Sequence, residues 1–178
     1  MNEIVLRQPT IEDAEQVMAY RREFVAAHDD LAGTGGLRKC ETAEEWLKGI
    51  AQRSDPATCP KDHAVSAQYI AVRESDGKLV GMIDLRFHID HPVLSLWGGH
   101  IGYSVRPDER RKGYGKEMLR QCLKKAKEHG LYYVMITCDA DNVGSEKTIL
   151  ANGGVFQCEV QVDGEPGPIK RYWIKLDA

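Results

Sequence analysis

Between Gly98 and Cys138 the chain reads as a strand, a basic turn with two glycines, an amphipathic helix and an apolar strand. The alternation from Gly98 to Val105 has the period of a half-buried strand. Met118, Leu119, Cys122, Leu123 and Ala126 fall at helical spacing within Gly113 to His129, and Gly130 follows as a stop signal. Leu131 to Cys138 is nearly continuous in apolar residues, as expected of a strand covered on both faces. This block commits the chain to an α/β architecture.

The flanking segments extend it. Ile4 to Arg7 is a short strand stopped by Pro9. Thr10 and Asp13 form a weak capping box for a first helix, and Thr42 with Glu45 forms a full one for a second. Strands follow over Gln68–Arg73 and Leu79–Asp90, joined by a turn at Asp76-Gly77. A short helix over Asn142–Ala151 and strands over Val155–Val162 and Ile169–Leu176 complete the order β-α-α-β-β-β-α-β-α-β-β. The reading is a mixed central sheet with helices on both faces, in one domain over residues 1–178, a length a single core can serve.

The turn Arg106-Pro107-Asp108-Glu109-Arg110-Arg111-Lys112-Gly113-Tyr114-Gly115-Lys116 is the chemical feature of the block. Arg106 to Lys127 carries nine basic and three acidic residues, a net +6, in a chain whose net charge is −3. A helix start presents unpaired N–H groups and a positive dipole end, and glycines let a ligand approach the backbone. The combination points to a pyrophosphate. The glycine spacing fits neither a P-loop nor a dinucleotide fingerprint. The acidic overall balance argues against a nucleic-acid binder. No stretch approaches the ~18 apolar residues of a membrane span, and the start lacks the basic-then-apolar order of a signal peptide. Five cysteines without regular spacing read as reduced thiols in a cytoplasm. Cys59 and His63 form no complete metal site, so no metal is expected.

Arg110-x-x-Gly113-x-Gly115, set between a strand and a helix, resembles the acetyl-CoA motif (Gln/Arg)-x-x-Gly-x-(Gly/Ala) of the GNAT N-acetyltransferase superfamily. Ile101-Gly-Tyr-Ser-Val-Arg-Pro107 is similar to that family's fourth strand and its exit, and Asn142 with Ser145 resembles its second cofactor motif. The element order agrees over nearly the whole chain. The resemblance implies acetyl-CoA as donor and an amine as acceptor. It implies that backbone groups of Tyr103 and Val105 hold the pantetheine arm. It also implies that Arg110 and the N–H groups of Arg111, Lys112, Gly113, Tyr114, Gly115 and Lys116 hold the pyrophosphate, with Asn142 and Ser145 near the reactive end.

Acetyl transfer to an amine needs a route for the amine proton and a donor for the leaving thiolate. On the Met82–Asp90 strand, Asp84, Arg86, His88 and Asp90 alternate with Ile83, Leu85, Phe87 and Ile89. Pairing with the Gly98–Val105 strand brings the polar sets onto one face together with His100 and Ser104, for instance with His88 opposite His100. That face is either an acceptor cleft, with Asp84, Arg86 and His88 touching the substrate, or solvent-facing. His100 is the candidate base, because the resemblance places a base, commonly Glu, near the start of this strand. Many family members carry an acid Tyr seven residues after the Asn, but that position here is Ile149. Ser145, Tyr114 and Tyr172 are the candidate substitutes. The acceptor is a small-molecule or peptide amine, its specificity set by Leu31–Lys39, Ser54–Ala67 and the polar strand face. The alternative is a non-catalytic CoA-binding or regulatory protein on the same fold. In either case the chain is expected to act as a monomer or homodimer.

Overall fold

In the computed structural model, residues 3–176 are described; the outermost residues of the expected single domain, 1, 2, 177 and 178, lie outside them. The elements are β1 (Ile4–Arg7), α1 (Ala14–Ala26), α2 (Ala43–Ser54), β2 (Ser66–Arg73), β3 (Leu79–Arg86), β4 (Ile101–Val105), α3 (Tyr114–Glu128), β5 (Tyr133–Asp139), α4 (Val143–Leu150), β6 (Val155–Val160) and β7 (Ile169–Lys175). The order is the one expected. The sheet divides in two: β1-β2-β3-β4 and β5-β7-β6, antiparallel throughout.

Both faces of the first sheet are covered. Ile83 and Leu85 pack with Met118, Leu119 and Cys122 of α3, while Ile70, Leu79 and Met82 pack with Val17, Tyr20 and Phe24 of α1 and Trp46 of α2. Thr42 caps α2 by accepting from the Glu45 N–H at 3.2 Å, and Glu45 returns a bond to the Glu41 N–H at 2.8 Å. Asp13 bonds the Thr10 N–H at 2.8 Å, but its carboxylate is also taken by Arg7 at 2.6 Å, and a 3-10 turn over Ile11–Asp13 precedes α1.

β3 stops at Arg86, four residues short of the expected Asp90, because β4 offers partners only up to the His100 carbonyl. Residues 87–99 leave the sheet instead, through a π-helical turn at Leu94–Gly98 and a left-handed Gly99 (φ 65°). A Cβ at Gly99 would stand 2.7 Å from the Met135 carbonyl oxygen, so the chain crosses β5 at a point only glycine fits.

Candidate active site

The register sets the site. Asp84 lies opposite Gly102 and Met82 opposite Ser104. The Arg86 N–H bonds the His100 carbonyl at 2.7 Å, so Arg86, not His88, faces His100. The shift from the expected register is two residues, which keeps every side chain on its expected face.

That polar face is neither open solvent nor one continuous cleft. At its β4 end α1 covers it, and the Tyr20 hydroxyl meets Ser104 Oγ at 3.0 Å. Beyond this lies a cleft of about 420 Å³ whose lining includes Thr34, Arg53, His63, Asp84, Arg86 and His91. The loops expected to set specificity, Leu31–Lys39 and Ser54–Ala67, form its walls. Gly33 (φ 67°) lies directly on β4: a Cβ there would fall 2.1 Å from the Gly102 carbonyl oxygen.

On the cleft floor Asp84 is buried, and its Oδ1 accepts no hydrogen bond. Arg86 approaches that oxygen to 3.4 Å without bonding it, while its Nη1 is held by the Gly98 and Gly99 carbonyls at 3.1 and 3.0 Å. Gln68, opposite Asp84 on β2, is also buried. Its Nε2 donates to the carbonyls of Gly33, Tyr69 and Ile83, and its Oε1 is left unpartnered. Sequence reasoning missed Gln68; its one signal was a polar residue entering an otherwise apolar strand. His88 stands aside from this cleft, with Nε2 accepting from the Val65 N–H at 3.4 Å.

His100 is placed differently from a base. Its Nδ1 accepts from the Met135 N–H at 2.9 Å, and its own N–H donates to the Met135 carbonyl at 2.8 Å. Neutral imidazole has one lone pair at nitrogen. That lone pair is committed to joining the two sheets, so Nε2 carries the hydrogen and no basic nitrogen remains. Burial also pushes His100 below the ordinary imidazole range. In this arrangement His100 ties the two sheets together.

Past this tie β4 and β5 share no further backbone hydrogen bond among the described residues. Antiparallel strands bond through alternate residues. His100 and Arg106 bond β3 residues, so Ile101, Tyr103 and Val105 turn their backbone groups towards the gap before β5. The Val105 carbonyl there is taken by Arg110 Nε at 3.0 Å, leaving its N–H and both backbone groups of Tyr103. The Tyr103 hydroxyl spans the gap to Ser145 Oγ at 2.7 Å. Burial pushes the Tyr103 phenol up to about 12, with the Ser145 and Thr148 hydroxyls easing it slightly, so it holds its proton at neutral pH.

The basic turn is less free than its charge suggests. Arg110 pairs with Asp29 at 2.5 Å and lies over the Phe24 ring; Lys112 pairs with Glu109 at 2.9 Å, and Arg106 with Glu23 at 2.9 Å. Glu109 is buried and also receives Lys78 and Arg73; these cations, Lys78 foremost, hold it at about 2. Arg111 and Lys116 are exposed, with no ion-pair partner among the described residues. Arg111 (φ 60°) and Gly113 (φ 87°) are left-handed, and α3 begins at Tyr114. The N–H groups of Tyr114, Gly115 and Lys116 precede the first intrahelical bond, Glu117 to Gly113. Residues 111–116 therefore line an anion cradle, with Arg111 and Lys116 as its unpaired cations.

On α4, Asn142 is the N-cap, accepting from the Ser145 N–H at 3.0 Å. Tyr172 donates to Glu146 Oε1 at 2.6 Å, with Lys170 on the same carboxylate at 3.0 Å. Its proton is engaged, and burial with the carboxylate raises the phenol. Tyr114 is buried and accepts from Arg73 at 3.2 Å. Ile149 is fully buried in the main core. His63 pairs with Asp62 at 3.0 Å, and Cys59 bonds only carbonyls.

The start of α3, the open edge of β4 and the cleft over Asp84 together make up the candidate site. A model of the acetyltransferase (GNAT) domain matches residues 3–155. The chain belongs to the GNAT acetyltransferases, whose acetyl donor is acetyl-CoA. Among solved structures it is similar to a ribosomal-protein-S5-alanine acetyltransferase from Vibrio fischeri (17% identity, TM-score 0.68, 99% of this chain and 95% of that one). It is also similar to RimJ of Mycobacterium smegmatis in complex with CoA-disulfide (17%, 0.68, 97% and 81%). A third likeness is to yncA of Salmonella typhimurium with its cofactor acetyl-CoA (13%, 0.65, 99% and 95%). At these identities the likeness is one of fold. A comparison with curated proteins gives no match. No described helix is long and apolar enough to cross a membrane.

Proposed function

We propose that the protein transfers an acetyl group from acetyl-CoA to an amine nitrogen by direct attack. The observation that carries this reading is the adjacency of the Asp84 cleft to the free edge of β4, across the Asp84–Gly102 pair. The cofactor supplies an activated thioester. Arg111, Lys116 and the N–H groups of 111–116 suit its pyrophosphate, and the open backbone groups of Tyr103 and Val105 suit its pantetheine amides.

The protein's own groups then act on protons. An amine arrives as an ammonium and must lose one proton before its lone pair can attack. The Asp84 carboxylate, which lines the cleft beside Arg86, receives the cation and passes that proton to solvent through the cleft. The N–C bond forms, the C–S bond breaks, and the second amine proton goes to the leaving thiolate. Tyr103, held protonated against Ser145, donates a hydrogen bond to the charge developing there, and Ser145 orients it. The five free thiols, two of them buried, suit a reducing cytoplasm.

Calorimetry with acetyl-CoA, followed by thiol release across an amine panel, tests this. Binding at tens of micromolar with turnover is the expected result. Binding without turnover of any amine would favour a regulatory CoA-binding role, and absence of binding by folded protein would defeat the reading.

A further inference from the structure

The cleft carries charges of both signs, and their placement points to a substrate class. Its lining carboxylates are Asp62 and Asp84. Asp62 is turned out to solvent and engaged by His63, which leaves Asp84 as the one acidic group facing the interior. Two guanidiniums share the lining with it, those of Arg86 and Arg53. Arg86 Nη1 is anchored on the Gly98 and Gly99 carbonyls, and Arg53 Nη2 is anchored on the Gly35 carbonyl. Each is held in place by backbone oxygens and keeps further N–H groups for a ligand.

Asp84 and Arg86 both line the cleft from β3, with Arg86 Nη2 3.4 Å from Asp84 Oδ1, an ion pair too long to be a hydrogen bond. A zwitterion presents an ammonium to the carboxylate of such a pair and a carboxylate to its guanidinium.

We propose that the acceptor is a small zwitterion, a free amino acid, whose ammonium is received by the Asp84 carboxylate and whose carboxylate is received by Arg86 and Arg53. This rests on the acetyl-transfer reading and names the substrate class for it. A polyamine is the wrong partner, since it would bring two or more cations to a cleft with one interior carboxylate and two fixed guanidiniums. The transfer leaves an N-acetyl amino acid, which loses the positive charge that Asp84 holds, so the product is released from the same contacts.

The test compares the standard amino acids with their amides, their decarboxylated amines and spermidine, all with acetyl-CoA in thiol release. At least one amino acid should be turned over with kcat/KM at least tenfold above its amide and its decarboxylated amine, and above spermidine. Without acetyl-CoA, the same amino acid should raise the Tm of the native protein but not of Asp84→Asn or Arg86→Lys, both chosen to preserve folding. Spermidine or a decarboxylated amine performing as well as the amino acid would overturn the proposal while leaving acetyl transfer intact. So would turnover confined to amines without a carboxylate. Failure of acetyl-CoA itself to bind would instead bring down the underlying reading, and this proposal with it.

Discussion

The Met135 N–H donates to His100 Nδ1 at 2.9 Å, and the His100 N–H returns a bond to the Met135 carbonyl at 2.8 Å. One histidine thus closes a ring of contacts with one residue of the second sheet. His100→Ala should therefore lower stability by about 1–3 kcal/mol, the cost of orphaning a buried donor. His100→Asn, whose amide oxygen can accept in place of Nδ1, should recover much of it. The folded-state pKa of His100 is depressed, so its contribution is complete above the unfolded value near 6.5 and declines as pH falls below that. Melting curves between pH 8 and pH 5 should show the native protein losing more stability than His100→Asn. Equal losses would contradict the tie.

The cradle separates its charges into two kinds. Arg111→Ala with Lys116→Ala should weaken acetyl-CoA about tenfold, or ~1.4 kcal/mol, with stability changed by no more than about 0.5 kcal/mol. Arg110→Ala with Lys112→Ala should also lower Tm, because Asp29 loses its partner and Glu109 one of its three. Calorimetry and thermal melting together distinguish the pairs.

Glu109 anchors the turn from beneath. Glu109→Gln leaves Arg73, Lys78 and Lys112 facing a neutral group and should cost about 1–3 kcal/mol. The carboxyl is held at about 2, below the unfolded value of about 4.3. Its stabilisation is fully present above the unfolded value and fades as pH falls through about 4 towards 2, so acid titration of the native protein and of Glu109→Gln should converge.

Tyr103→Phe should reduce kcat by about 10–100-fold while leaving acetyl-CoA affinity nearly unchanged, since only the hydroxyl meets Ser145. Ile149→Tyr should not substitute for it. That side chain points into the core, with Gly154 packed on it so closely that a Cβ there would lie 2.5 Å from Ile149 Cγ2. The larger residue should cost about 1–3 kcal/mol by overpacking, and rescue of Tyr103→Phe by Ile149→Tyr would refute this assignment.

The order of elements was legible because period and punctuation are local: Thr42 capping α2, Gly130 ending α3 and the apolar run of β5 all declare themselves. The face occupied by Asp84 and Arg86 was legible too, since strand parity survives a slip of two residues. What escaped was long-range. Nothing near His100 in sequence announces Met135, and nothing near Arg110 announces Asp29, 81 residues away. The charge of the turn was therefore read correctly in sum but not in availability. Gln68 escaped because its meaning depends on Asp84 lying beside it across two strands.

The single backbone join between the sheets has a thermodynamic consequence. Beyond it, β4 keeps an edge whose hydrogen-bonding groups have no strand to serve. A ligand that fills that edge acts as a missing strand and a fastener at once. Ligand saturation and fold stability then become one linked quantity: mass action adds about 2.7 kcal/mol at a hundred times Kd.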